Sequence, residues 1–150
     1  MAEDPAFRRI NGGGTRRFVL HIIPMTTPQT LPTRTGLALV HSSDFTPLSA
    51  AKPAKAGEIL SVFMSGLGPT VPPVAPGQPF PSAPLAVVNS PVVVTLNGKP
   101  TEVLAAVGSP NAFNGYHINF RIPLDAPKGE ADIGIMVAWV ASTPISIVVE

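Results

Sequence analysis

Histidine, serine and aspartate fall together at His41-Ser42-Ser43-Asp44, just before Phe45. These are the residue types of a nucleophilic triad, in which an imidazole takes a hydroxyl proton and a carboxylate orients the imidazole. Their spacing argues against that chemistry. A triad is assembled from distant segments, and neighbours on an extended chain cannot converge on one proton path. Asp44 is expected instead to cap a turn through its own side chain. His21, His41 and His117 could meet at a metal only through the fold, because no two of them stand at i, i+2 or i, i+4. They are expected as exposed strand histidines. Asp125, Glu130 and Asp132 around "DAPKGEAD" offer the oxygen ligands of calcium, but their number and spacing fit a solvated hairpin better. There is no cysteine, which excludes disulfides and thiolate metal sites. The residues name no catalytic group, no metal ligand and no cofactor site, and the expectation is a protein that is not an enzyme.

Recognition chemistry is also sparse. Stacking against a sugar needs aromatic rings, and with one Trp and one Tyr that role falls to Trp139 or Tyr116. Tyr116 is expected to pack inside. Trp139, just past an alternating apolar run, is the candidate surface contact. Arg8-Arg9 and Arg16-Arg17 flank a Gly-Gly-Gly turn and are read as a solvated or interface arm. A net charge of +1 with 13% charged residues leaves no clustered basic surface for nucleic acid. "RFVLHIIPM" falls short of the ~18 apolar residues of a membrane span and is broken by His21 and Pro24. "MAEDPAFRRINGGG" starts acidic and has no apolar core, so no signal peptide is read in this chain.

The elements that must position these residues are strands. Nineteen prolines in 150 residues leave no window for a long amphipathic helix. The β-branched runs between them predict strands at Arg17–Ile23, Leu37–His41, Glu58–Met64, Val92–Leu96, Glu102–Val107, His117–Ile122, Gly129–Val140 and Ile145–Val149. Asn97-Gly98 accepts the positive φ angles of a tight turn and makes "VVVTLNGKPTEVLAAV" a hairpin signal. Period-2 alternation places Ile59, Phe63, Val94, Ile118, Phe120, Ile135 and Val137 in the core. About six strands after Glu58 match an immunoglobulin-like antiparallel β-sandwich, with a small barrel as the alternative. Residues 51–150 are read as that domain and residues 1–50 as an N-terminal extension with one or two strands. "RFVLHII" is expected to add to a sheet edge or cover a face, in its own chain or in a neighbour. Between two apolar runs, Ser65–Pro84 is dense in proline and glycine. Such a stretch favours polyproline and turn conformations, and it is expected to be an ordered crossover anchored by Leu67 and Phe80.

The order of parts from Lys52 to Glu150 resembles the Solibacter-type C-terminal domain found in exported proteins of Acidobacteria. The parts are Gly57-Glu58 opening a strand, the Gly66–Pro69 turn, the proline-rich stretch to Pro91, Val92–Leu96, Asn97-Gly98, and Tyr116–Pro123. "ALVHSSDFTPLSAAKPA" resembles the lead-in of some members. The resemblance implies an immunoglobulin-like sandwich, an extracellular or cell-surface setting, and partners in the rest of a larger exported chain or in neighbouring subunits. It carries no catalytic residue. The expected role is a noncatalytic structural or adhesion-type module. A subunit joined by strand addition from the N-terminal arm, as a homo-oligomer, is the first alternative, a carbohydrate-binding module the second, and a hydrolase the last.

Overall fold

The computed structural model describes residues 9–10, 13–14, 28–30, 32–33, 36–37 and 39–150. Among these residues there is no helix, and none is therefore long and apolar enough to cross a membrane. The strands are β1 (Arg9–Ile10), β2 (Gly13–Gly14), β3 (Gln29–Thr30), β4 (Pro32–Thr33), β5 (Gly36–Leu37), β6 (Leu39–His41), β7 (Ile59–Ser65), β8 (Thr70–Val71), β9 (Val87–Val88), β10 (Val92–Leu96), β11 (Lys99–Pro100), β12 (Glu102–Gly108), β13 (Tyr116–Arg121), β14 (Gly129–Val137), β15 (Val140–Ala141) and β16 (Ile145–Val149). Pairs β1–β2 and β4–β5 are two-residue ladders. The predicted strand Arg17–Ile23 lies outside the described residues.

Two antiparallel sheets make a β-sandwich-like architecture. One runs β3-β7-β13-β12-β9-β8, with β6 also on β7, and the other runs β11-β10-β14-β15, with β16 also on β14. A single buried cluster draws on both: Leu60, Val62, Met64, Ile118 and Phe120 from the first, Val94, Ile133, Ile135, Val137 and Ile145 from the second. This follows from alternation. In β13 and β14 apolar side chains recur every second residue on the buried face, with Met136 of β14 on the other side, and burying each large one stabilises by roughly 1.5–3 kcal/mol.

Strand β7 corrects one expectation. Its buried face is Leu60, Val62 and Met64, while Ile59 and Phe63 are only half-buried on the other side. Both faces of "ILSVFMS" are apolar, so the period alone did not choose between them. Ser61 is nonetheless buried on the outer face, where its hydroxyl accepts from Ser42 at 2.6 Å and donates to Asn119 Oδ1 at 2.6 Å.

Two further strands end differently from the sequence reading. Asn97 and Gly98 turn with φ of 50° and 82°, and Leu96 pairs with Lys99. The hairpin then stops: after Thr101 N–H bonds Val94 O at 2.7 Å, β12 joins the other sheet beside β13. Pro100 has no N–H with which to extend the ladder. Gly129–Val140 is not one strand, because Ala138 and Trp139 turn with φ of 48° and 65° and fold β15 back on β14.

Residues 66–86 leave β7 and reach β8 and β9 at the far edge of the same sheet, beyond β13 and β12. The change of sheet comes only afterwards, between β9 and β10. Leu67 and Phe80 are both buried in this stretch. Before Lys52, β6 is already part of the sheet, and Ala54 ties the two sheets' margins: its N–H bonds Val148 O at 2.9 Å and its carbonyl accepts from Glu150 N at 2.8 Å.

Candidate functional site

Several loops gather at the end of the sheets where β7 finishes and β13 begins. Asn89 N–H bonds Pro69 O at 3.0 Å, and Ala138 N–H bonds Pro91 O at 2.9 Å, which ties the Gly66–Pro69 turn, the β9–β10 link and the Trp139 turn together. Phe80 is the pivot of the proline-rich stretch. Its N–H bonds Ala112 O at 3.0 Å and its carbonyl accepts from Asn111 N at 2.9 Å, so the stretch is stitched to the β12–β13 loop. The Phe80 ring lies over Gly108 and meets Tyr116 at a centroid distance of 4.9 Å, tilted by 58°. A side chain at residue 108 would occupy the ring's place, which explains glycine inside β12.

Over this aromatic pair lies a groove of about 310 Å3, with Thr70, Gln78 and Asn114 as its polar side chains and Val74, Phe80 and Tyr116 beneath or beside them. The Tyr116 hydroxyl donates to Gly68 O at 2.7 Å. Burial pushes its phenol above the ordinary value, so it stays protonated and acts as a donor rather than a base. Thr70 is engaged too, donating to Pro72 O at 2.9 Å. Near the groove Trp139 is 80% exposed at the tip of its turn and Phe113 is 65% exposed in the β12–β13 loop, while Phe45, equally exposed, lies in the turn after β6. The arrangement is suited to contact, with apolar side chains held on bonded loops.

The two described histidines, His41 and His117, do not meet. His41 was expected to be exposed, and it is buried, with Nδ1 2.5 Å from Glu58 Oε1 and Nε2 donating to Lys52 O at 3.2 Å. Register explains this: His41 pairs with Leu60 on β7, and Glu58 sits just before that strand. Glu58 Oε2 also accepts from Lys55 N at 2.9 Å. Both carboxylate oxygens are thus spent on structure. His117 stands half-buried on the outer face, 3.0 Å from Ser109 Oγ and beside Phe63. Burial lowers its pKa, which keeps the ring neutral. His21 lies outside the described residues. Asp44 Oδ1 accepts from the N–H and hydroxyl of Thr46, closing a turn, and Oδ2 accepts from Lys52. Lys52 and Thr46 together hold the Asp44 carboxyl well below the usual carboxylate range.

Around the β14 hairpin, Asp132 Oδ1 accepts from Ser146 Oγ at 2.7 Å, while Asp125 and Glu130 are exposed. Among the described residues no three His, Asp or Glu side chains are grouped to hold a metal ion. The exposure of Phe113 was not legible in "NAFNG", where an aromatic between two asparagines reads as an ordinary turn. The His41–Glu58 pair left no sequence signal either, since it depends on which strands are neighbours. Compared with protein-family models, with curated proteins and with solved structures, the chain matches none.

Proposed function

We propose that this chain is a noncatalytic structural and adhesion-type module, an immunoglobulin-like sandwich carried by an exported bacterial protein, and that it makes contact through the end bearing Trp139, Phe113 and the proline-rich stretch. The observation that carries the reading is the Trp139 turn. Between β10 and β11 the chain turns with Asn97-Gly98, the residues that tolerate positive φ. At Ala138-Trp139 the same conformation is imposed on two residues that are neither Gly nor Asn, and the second is an indole 80% exposed. Positive φ at such residues costs stability, and a tryptophan held in water gains by meeting a partner, which is why Trp is enriched at energetic centres of interfaces. The resemblance of Lys52–Glu150 to the Solibacter-type domain supports the exported, cell-surface setting, with the rest of a larger chain or neighbouring subunits as partners.

Retention on intact bacterial cells and on insoluble cellulose and chitin tests this. Trp139→Ala is expected to weaken retention on cells by about tenfold or more, as for an interface centre worth more than ~1.4 kcal/mol, with an unchanged unfolding midpoint. Equal retention of wild type and variant would refute the reading. Retention on the polysaccharides alone, lost in Trp139→Ala, would favour the carbohydrate-binding alternative.

A further inference from the structure

No Asp, Glu, Lys or Arg occurs in residues 59–98, 103–120 or 133–149. Antiparallel pairing converts this spacing into an axis. Arg121 lies beside Ile59 on one strand and Glu102 on the other, while Leu96 lies beside Ile133 and Gly129 beside Val149. Glu58, Lys99, Glu102, Arg121, Glu130 and Glu150 are therefore gathered at the end of the sandwich where β7 starts. The loops at residues 42–57 and 122–128 join strands at that same end, and Asp132 adjoins it, its N–H bonded to Asn97 Oδ1. The opposite end, where β7 finishes and β10 and β13 begin, carries no charged side chain among the described residues.

This uncharged end displays apolar side chains. Trp139 and Phe113 project from their turns, Val71 is exposed in β8, and Leu85 is exposed just before β9. The bond of Gly108 N–H to Ala86 O places Leu85 beside the end of β12. The four tips come from four separate segments. Much of the backbone among them is proline, whose nitrogen has no N–H to strip of water. Phe45 and Leu124 are exposed as well, but at the charged end, next to Asp44 and Asp125 in the chain.

We infer that the uncharged end docks on a lipid surface, with Trp139, Phe113, Leu85 and Val71 entering the headgroup region of a bilayer. This rests on the contact end proposed above and names its partner. Three features select lipid. Charged side chains are costly below the headgroups, and this end has none, whereas protein interfaces keep a polar rim and draw binding energy from Arg. Tips on four separate segments define no single mould for a partner, but a lipid surface has no fixed shape and takes each tip where it stands. Trp is also the side chain that settles at the membrane–water boundary, with its ring out of water and its N–H hydrogen-bonded. The polar side chains between the tips include Gln78 and Asn114, neutral amides that suit zwitterionic headgroups. With the charges gathered at the far end, the sandwich stands upright on the membrane and keeps that end in water.

Trp139 is the single tryptophan, so the fluorescence of the full-length chain reports its surroundings directly. Phosphatidylcholine vesicles, which have no net charge, are expected to shift the emission to shorter wavelength and to carry the protein down on sedimentation. Salt at about 1 M is not to weaken binding, because no ion pair contributes. Phe113→Ser is expected to weaken partitioning by at least about tenfold. Leu124→Ser, at the charged end, is to leave it unchanged. Neither is to move the urea midpoint, since both side chains are exposed. No shift with phosphatidylcholine, binding that needs anionic lipid, or equal losses in the two variants would each overturn the inference. A shift that follows protein concentration without lipid would make a second copy the partner and overturn it too. Trp139-dependent retention on cells without vesicle binding would overturn the lipid partner and leave the contact end standing. Absence of both would remove the contact end as well.

Discussion

Gly108→Ala is a sensitive test of how the proline-rich stretch is held. Gly108 lies in β12 beneath the Phe80 ring, and a β-carbon there would overlap Cγ, Cδ1 and Cδ2 of that ring. The residue has no positive φ, so alanine suits its backbone and gains about 0.4–1 kcal/mol from a less flexible unfolded chain. Against this stands overpacking of about 1–3 kcal/mol if the ring shifts. If the ring leaves altogether, the cost approaches the ~3–5 kcal/mol of deleting a buried phenylalanine. The net expectation is a loss of about 1–4 kcal/mol. Phe80→Ala removes the overlap, so Gly108→Ala on that background is expected to be neutral or slightly stabilising, a coupling of about 2 kcal/mol between the two sites. Urea unfolding followed by circular dichroism measures all four corners of the cycle. Limited proteolysis between Gly77 and Ser82 should accelerate in each single variant, because the bonds of Phe80 to Ala112 and Asn111 hold that stretch. An equal cost of Gly108→Ala with and without Phe80 would refute the reasoning.

Four further outcomes are expected. Glu58→Gln should cost about 1.5–3 kcal/mol in urea unfolding, because it removes a charge-assisted bond to the buried His41. Tyr116→Phe should cost about 0.5–1.5 kcal/mol through the lost bond to Gly68 O. The folded-state pKa of His117 lies below its ordinary 6.5, so the unfolded chain takes up the proton first; its share of stability is intact above 6.5 and is lost as pH falls through the folded value. His117→Gln should flatten that part of the stability–pH curve below pH 6.5. Replacing Ala138-Trp139 by Asn-Gly should raise stability by up to about 1 kcal/mol, since both residues have positive φ, while abolishing retention on cells.

Much of the architecture was already written in local pattern. Prolines excluded helices, and strict alternation in Tyr116–Arg121 and Ile145–Val149 set both the strands and their buried faces, because a two-residue period leaves one face for the core. Leu67 and Phe80 stood out as the large apolar residues in a stretch that otherwise has few, and both are buried. Trp139 was legible as a residue beyond the alternating run, although the turn that lifts it into water was not. What pattern could not decide was any choice between equivalent options. "ILSVFMS" is apolar on both sides, and only packing against the second sheet selected Leu60, Val62 and Met64 over Ile59 and Phe63. A tight turn at Asn97-Gly98 says that the chain reverses, but not that β12 then abandons its hairpin partner for β13. His41 and Glu58 are 17 residues apart, and no local rule pairs them. Local sequence sets φ, ψ and the period of burial, which are properties of a few neighbouring residues. Which strand lies beside which depends on contacts between residues far apart in the chain, and those energies exist only once the sheets have assembled.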